Sequence, residues 1–244
     1  MKIDVIALFP EIIIPALRVS ILKRAQDAGY LTVNVHNLRD FATDRHQSVD
    51  DYPYGGGAGM ILKPEPLFAA VRALSPESNT RVIYLTPQGK PCTQRLAEAL
   101  SLESHIILIC GRYKGIDERV RQKLVTDEIS IGDYVLSGGE IPALVLIDTI
   151  GRVLPGVLGD YESAQDDSFS QQMLDHPHYT RPSDFEGMKV PEVLLSGHHE
   201  KITRWKYEES LKRTAARRPD LLKEIELTEE NTNFMREPNA GEGI

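Results

Sequence analysis

The chain has 244 residues, 41% hydrophobic and 26% charged, enough for one large or two modest globular cores. No run approaches the roughly 20 apolar residues needed to span a bilayer, since the most apolar long segment, Ile141 to Leu158, is interrupted by Asp148 and Arg152. Met1-Lys2-Ile3-Asp4 puts an acid where a signal peptide needs a basic and then an apolar run, so a cytoplasmic protein is expected. Two cysteines, Cys92 and Cys110, exclude a disulfide framework and a four-thiolate zinc site. The formal net charge of −8 argues mildly against a nucleic-acid partner, but its distribution is uneven. Lys201 to Arg218 carries seven basic residues against two acids, and Pro219 onward seven acids against two basic residues. Such a basic segment is either a solvated helix face or a polyanion-binding strip.

In chain order, Lys2 to Leu8 reads as a buried strand, and Phe9-Pro10-Glu11 opens an apolar stretch, read as helical, that runs to Ala28. Leu31, Val33 and Val35 alternate as in a strand. Leu67, Ala70, Val71 and Leu74 share one helical face. Arg81 to Leu85 is a short strand, and Thr93 suits the N-cap of a helix that turns Leu96, Ala97 and Leu100 inward. His105 to Cys110 is a strand ending in a buried, reduced thiol. A helix over Asp117 to Val125, a strand over Glu128 to Leu136 and a helix carrying Pro142 in its first turn follow. This alternation predicts an α/β domain with a mostly parallel sheet, placed at residues 1–159. Residues 160–174 are polar and acidic without periodicity and read as a linker or a loop ordered on binding. Residues 175–244 form a small, mainly helical second domain, with helices near 201–217 and 221–235.

Ligands of parallel α/β folds gather at the C-terminal ends of strands. Three glycine-rich loops fall at such ends: Thr86-Pro87-Gln88-Gly89, Gly111-Arg112-Tyr113-Lys114-Gly115, and Ile131 through Glu140. Each alone is more often a turn, but three in succession predict a site built from main-chain groups, suited to reading an adenosine edge. No G-x-G-x-x-G follows the first strand, and the glycine run 55–59 lacks the Gly-Lys-Ser/Thr ending of a phosphate loop. His176-Pro177-His178 and His198-His199 lack ligand spacing with a third partner, so no metal centre is expected from them and zinc least of all.

An ordered set of motifs then runs nearly end to end. It includes Leu8-Phe9-Pro10-Glu11, Asp44-Arg45-His46, Val49-Asp50-Asp51, the glycine run 55–59, Tyr84 to Gly89, Cys110-Gly111-Arg112-Tyr113 and Ile131 to Glu140. Leu154 to Gly159, Asp167-Ser168-Phe169, Pro177 to Pro182 and Leu194 to Gly197 complete it. In this set the chain resembles the bacterial tRNA (guanine-N1)-methyltransferase family, which modifies the guanosine just 3′ of the anticodon. The resemblance implies a SPOUT-type knotted α/β domain, a homodimer whose active site is shared between chains, and S-adenosylmethionine as methyl donor. It places the cofactor on Tyr84, Leu85, Thr86, Pro87, Gln88, Gly111 and Tyr113, and on Ile131, Gly132, Asp133, Tyr134, Val135, Leu136, Gly138 and Gly139. These are the loops that the strand-end argument selects. It also implies magnesium, although no metal cage is legible.

N1 of a neutral guanine carries a proton that must leave before its lone pair can attack, and the developing charge spreads to O6. The resemblance puts the general base on Asp167 and a charge-stabilising arginine on Arg152. Without it, Asp167 reads as a solvated loop acid and Arg152 as a helix-end cation. Three departures stand out: Lys114 where the family has glutamate, Ala58 for proline, and His198 for asparagine. Two other readings compete: a methylase of another RNA or of a ribose hydroxyl, and a non-catalytic RNA- or nucleotide-binding module.

Overall fold

Lys2 to Ala7 form strand β1 because their side chains alternate between two apolar layers. Ile3, Val5 and Ala7 enter one layer, and Ile6 with the following Leu8 enters the other. The structure is a computed structural model that describes residues 1–157, 167–169 and 172–224. It divides into two compact units, Met1–Tyr161 and Glu162–Ile244.

In the first unit β1 pairs with β2 (Thr32–Asn37) and β6 (His105–Cys110); β5 (Arg81–Pro91) joins β6 to β7 (Asp127–Ser130). All pairings are parallel, and the five-stranded order is β2-β1-β6-β5-β7. A parallel sheet needs apolar cover on both faces. Helices α1 (Pro10–Leu17), α2 (Ser20–Asp27), α4 (Gln94–Ser101) and α6 (Glu140–Val153) bury Ile13, Leu22, Ala97 and Leu146 on one side. Helices α3 (Pro64–Ala73) and α5 (Glu118–Leu124) bury Leu67, Val71 and Val120 on the other. A short pair, β3 (Asp50–Asp51) and β4 (Ile61–Leu62), brackets the glycine run. The expected α/β architecture with a parallel sheet is therefore present. Thr93 caps α4, its Oγ1 accepting from the Leu96 N–H at 3.2 Å, and Cys110 is a buried free thiol.

Two elements differ from expectation. The apolar stretch to Ala28 is two helices rather than one. Pro15 removes an N–H inside α1, which ends two residues later at Leu17 with the Arg18 N–H donating to the Pro15 carbonyl at 3.2 Å, and Ser20 then takes φ +51°. The strand expected over Glu128 to Leu136 stops at Ser130. Beyond it the Ser130 hydroxyl engages both the N–H and the carbonyl of Gly132, whose φ is +150°, and turns the chain out of the ladder.

The second unit holds a hairpin, β8 (Asp184–Phe185) with β9 (Met188–Lys189), a short helix α7 (Glu192–Leu195), and the long helix α8 (His199–Arg217). A 3₁₀ turn, Leu221–Glu224, follows. The hairpin adds strands to a domain expected to be mainly helical. Most of the expected linker and the helix expected to reach Met235 lie outside the described residues.

Candidate functional site

Because β6, β5 and β7 are neighbours, the loops leaving them meet at one edge of the sheet. Leu85 pairs with Ile129; residues 86–89 then leave the ladder, and Lys90 returns to the same Ile129. Gly89 makes this detour sterically possible, since a Cβ there would lie 2.4 Å from the Glu128 carbonyl carbon. After β6, Gly111 accepts a hydrogen bond from the Gly139 N–H at 2.9 Å, and Arg112 bridges Gly138. Gly139 has no room for a side chain either: a Cβ would sit 2.6 Å from the Cys110 Cα. Tyr113 takes φ +59°, a strained left-handed position for a bulky residue.

The three loops enclose a cavity of about 300 Å³. Tyr84, Leu85, Thr86, Pro87 and Gln88 line it from β5; Gly111 and Tyr113 line it from β6; Ile131, Gly132, Tyr134, Val135, Leu136, Gly138 and Gly139 line it from the loop after β7. Asp133 is the one predicted cofactor position not on its wall. Arg112, Lys114, Gly115, Ile129, Ser130, Ser137 and Pro142 line it as well. Arg112 and Lys114 were discoverable as members of a selected loop; Ile129 and Ser130 were hidden as ordinary strand residues.

Electrostatically, the loops are tied by an ion pair. Arg112 Nε meets both Glu140 carboxylate oxygens at 3.2 and 3.3 Å, and its Nη1 donates to the Ser137 carbonyl at 3.3 Å. Glu140 is the first residue of α6 and is fully buried. Burial, with Glu140 nearby, pushes the Cys110 thiol well above its ordinary range. Burial likewise raises the Tyr84 phenol, and burial together with the hydrogen bond to Asp50 raises Tyr113. Both phenols are therefore neutral donors at pH 7. The Lys114 N–H donates to the Met60 carbonyl at 3.0 Å, tying the loop after β6 to the end of the glycine run.

The two predicted catalytic residues fall on different units. Arg152 is exposed in the last turn of α6, where the helix dipole favours a cation. Asp167 is exposed in the second unit and lines a cavity of about 210 Å³ with Asp175, His176, Lys206, Tyr207 and others. Its neighbours are fixed: Ser168 Oγ accepts from the Asp175 N–H at 3.0 Å, and the Phe169 N–H donates to the Met173 carbonyl at 2.7 Å. Leu174 is held in turn by Thr214 of α8.

Along α8 several basic side chains are already engaged. Arg204 pairs with Glu208, Lys212 with Glu209, and Arg213 donates to the Asp175 carbonyl. Arg218, just beyond α8, pairs with Asp220. Exposed pairs of this kind are worth at most about 1 kcal/mol and exchange readily for a polyanion. Trp205 is half-buried, with His176 and Tyr179 rings each 6.4 Å away.

One expectation needs correction in its premise. The pair His176 and His178 does have a third potential ligand, the adjacent Asp175, and the three ligating atoms lie within 4.8 Å of one another. Among the described residues this is the one such group, and its two imidazoles do not suit magnesium, which takes oxygen ligands. No helix among the described residues is long and apolar enough to cross a membrane.

Comparison with known proteins identifies the family. Residues 1–224 match the family model described as tRNA (guanine-1)-methyltransferase TrmD. The tRNA (guanine-N(1)-)-methyltransferase of Anoxybacillus flavithermus is 58% identical over 239 residues, 97% of this chain and 98% of that protein. Those of Dictyoglomus turgidum and Bacillus cereus are 54% and 53% identical, covering 97% and 99% of this chain and 96% and 100% of their own lengths. The chain belongs to the tRNA (guanine-1)-methyltransferase TrmD family.

Proposed function

We propose that the chain transfers the methyl group of S-adenosylmethionine to N1 of the tRNA guanosine immediately 3′ of the anticodon. The observation that carries this reading is the single cavity on which the loops after β5, β6 and β7 converge. It has room for a nucleoside-sized ligand, and its wall is largely backbone at glycines 111, 132, 138 and 139. Bound there, S-adenosylmethionine supplies an electrophilic methyl on a sulfonium whose neutral thioether leaves without acid assistance.

The chain's own residues do the rest. Asp167 accepts the guanine N1 proton, freeing the lone pair that forms the new N–CH₃ bond. Arg152 faces the negative charge that builds on O6. Residues 1–159 serve as the cofactor-binding catalytic domain, 160–174 as the linker and 175–244 as the tRNA-binding domain, in a homodimer whose active site is shared between chains. A knotted backbone belongs to this reading. Magnesium, which the resemblance implies, belongs to this reading as well.

The test is methyl transfer from labelled S-adenosylmethionine to unmodified tRNA, with the product nucleoside identified. The native chain is expected to yield 1-methylguanosine. Asp167→Asn is expected to bind S-adenosylmethionine normally and lose roughly 10²–10⁴-fold in turnover. Methylation at another atom withdraws the substrate assignment, and a fully active variant withdraws the base.

A further inference from the structure

The turn Asp175-His176-Pro177-His178 gathers three metal-ligating side chains that the methyl-transfer reading does not use. The Asp175 carboxylate spans both imidazoles, with Oδ1 at 2.7 Å from His176 Nδ1 and Oδ2 at 2.6 Å from His178 Nε2. The two ring centroids are 4.3 Å apart, and all three ligating atoms lie within 4.8 Å of one another.

Two members of the group are held before any ion arrives. The Asp175 N–H donates to Ser168 Oγ, and its carbonyl accepts from Arg213. His176 is buried with its ring edge-on to Trp205, at an interplanar angle of 84°. The third is accessible, because the His178 side chain is 68% exposed. A held carboxylate and imidazole with one solvent-facing imidazole is an arrangement an ion can enter from outside.

We propose that Asp175, His176 and His178 form a binding site for a divalent transition-metal ion of the zinc or cobalt class. One oxygen and two nitrogen ligands suit such borderline ions rather than magnesium or calcium. Three protein ligands leave a fourth tetrahedral position open to water or an anionic oxygen. Binding replaces the hydrogen bonds between carboxylate and imidazoles with metal bonds of about 2.0–2.2 Å. The rings must open around the ion, and the exposed His178 has the freedom to do so. Lys206 lines the same cavity and opposes a cation there, and the Asp175 charge offsets it.

The experiment titrates the chelator-treated full chain with Co²⁺, followed by visible absorption, and with Zn²⁺ by calorimetry. One equivalent is expected to bind, with d–d bands of a nitrogen–oxygen site. His178→Ala, at an exposed position where folding is not at stake, should weaken uptake by at least about tenfold. His198→Ala, an exposed histidine outside the group, should leave it unchanged. Absence of saturable uptake, uptake unaltered in His178→Ala, or a thiolate charge-transfer band pointing to Cys92 would each overturn the assignment.

Discussion

The guanidinium of Arg112 meets the carboxylate of Glu140 at 3.2 Å, joining the loop after β6 to the first residue of α6. The two residues are 28 apart in sequence, and the pair fixes the spacing of two cavity-lining loops. Arg112 also lies over the Phe9 ring, 4.6 Å from its centroid, so the loop after β1 is tied in as well. Glu140 favours its place at the helix start through the macrodipole.

Glu140→Gln keeps the shape but leaves Arg112, whose side chain is 15% exposed, without its countercharge. Removing one partner of a buried pair costs roughly 3–5 kcal/mol; the glutamine oxygen still accepts one bond, so a loss of about 2–3 kcal/mol is expected. Urea unfolding measures it, and calorimetry should show weakened S-adenosylmethionine binding in the same variant. Unchanged stability and affinity together would remove the pair from any organising role.

A second buried carboxylate makes a pH prediction. Asp4 lies within β1, and burial alone would raise its pKa. Hydrogen bonds from Lys2, His36, Asn34 and His105 outweigh burial and hold it at about 2. A depressed folded-state pKa means that the ionised group stabilises the fold above its unfolded value near 3.8. That stability is lost as pH falls from about 4 toward about 2. The shift corresponds to about 2 kcal/mol. Asp4→Asn should therefore lower stability by about that much at pH 7, and the gap between native and variant should narrow as pH falls below about 4 and close only below about pH 2. A gap independent of pH would show that packing, not charge, holds the site.

The sheet and the cavity were largely legible, for separate reasons. The alternation of Ile3, Val5 and Ala7 against Ile6 marks a strand buried on both faces, and glycines at successive strand ends mark where backbones approach each other. β7 was overextended because apolar residues continue past Ser130. The strand lies at the sheet edge with only β5 beside it, and Val135 and Leu136 end exposed on the cavity wall. The Arg112–Glu140 pair was not legible, because sequence carries no sign of which charges meet across 28 residues. Asp175 escaped as a ligand because its turn, not its spacing, brings it to His178. Asp167 and Arg152 rest on family resemblance, since a loop acid and a helix-end cation carry no mark of catalysis in sequence alone.

Binding of tRNA should be salt-sensitive through α8. Lys201 and Lys206 carry charge on that helix, and phosphate contacts release counterions. Replacing each with alanine should weaken binding similarly across tRNAs and reduce the slope of log affinity against log salt by roughly one per lost contact. Fluorescence anisotropy at several salt concentrations reads both quantities. An unchanged slope in the double variant would place the polyanion elsewhere.

The sharpest steric prediction concerns Gly139. Its N–H donates to Gly111, and an added Cβ would stand 2.6 Å from the Cys110 Cα, a backbone atom that no rotamer change can move. Gly139→Ala must therefore push the start of α6 away from the end of β6. Overpacking of this kind costs about 1–3 kcal/mol. The displacement should be felt in the cavity more than in the fold, because Gly138, Gly139 and Gly111 all form its wall. The expected outcome is a folded protein, melting a few degrees lower, whose affinity for S-adenosylmethionine falls at least about tenfold. A variant that binds the cofactor as tightly as the native chain would mean that this backbone contact does not shape the site, and the cavity would have to be assigned to another ligand or to none.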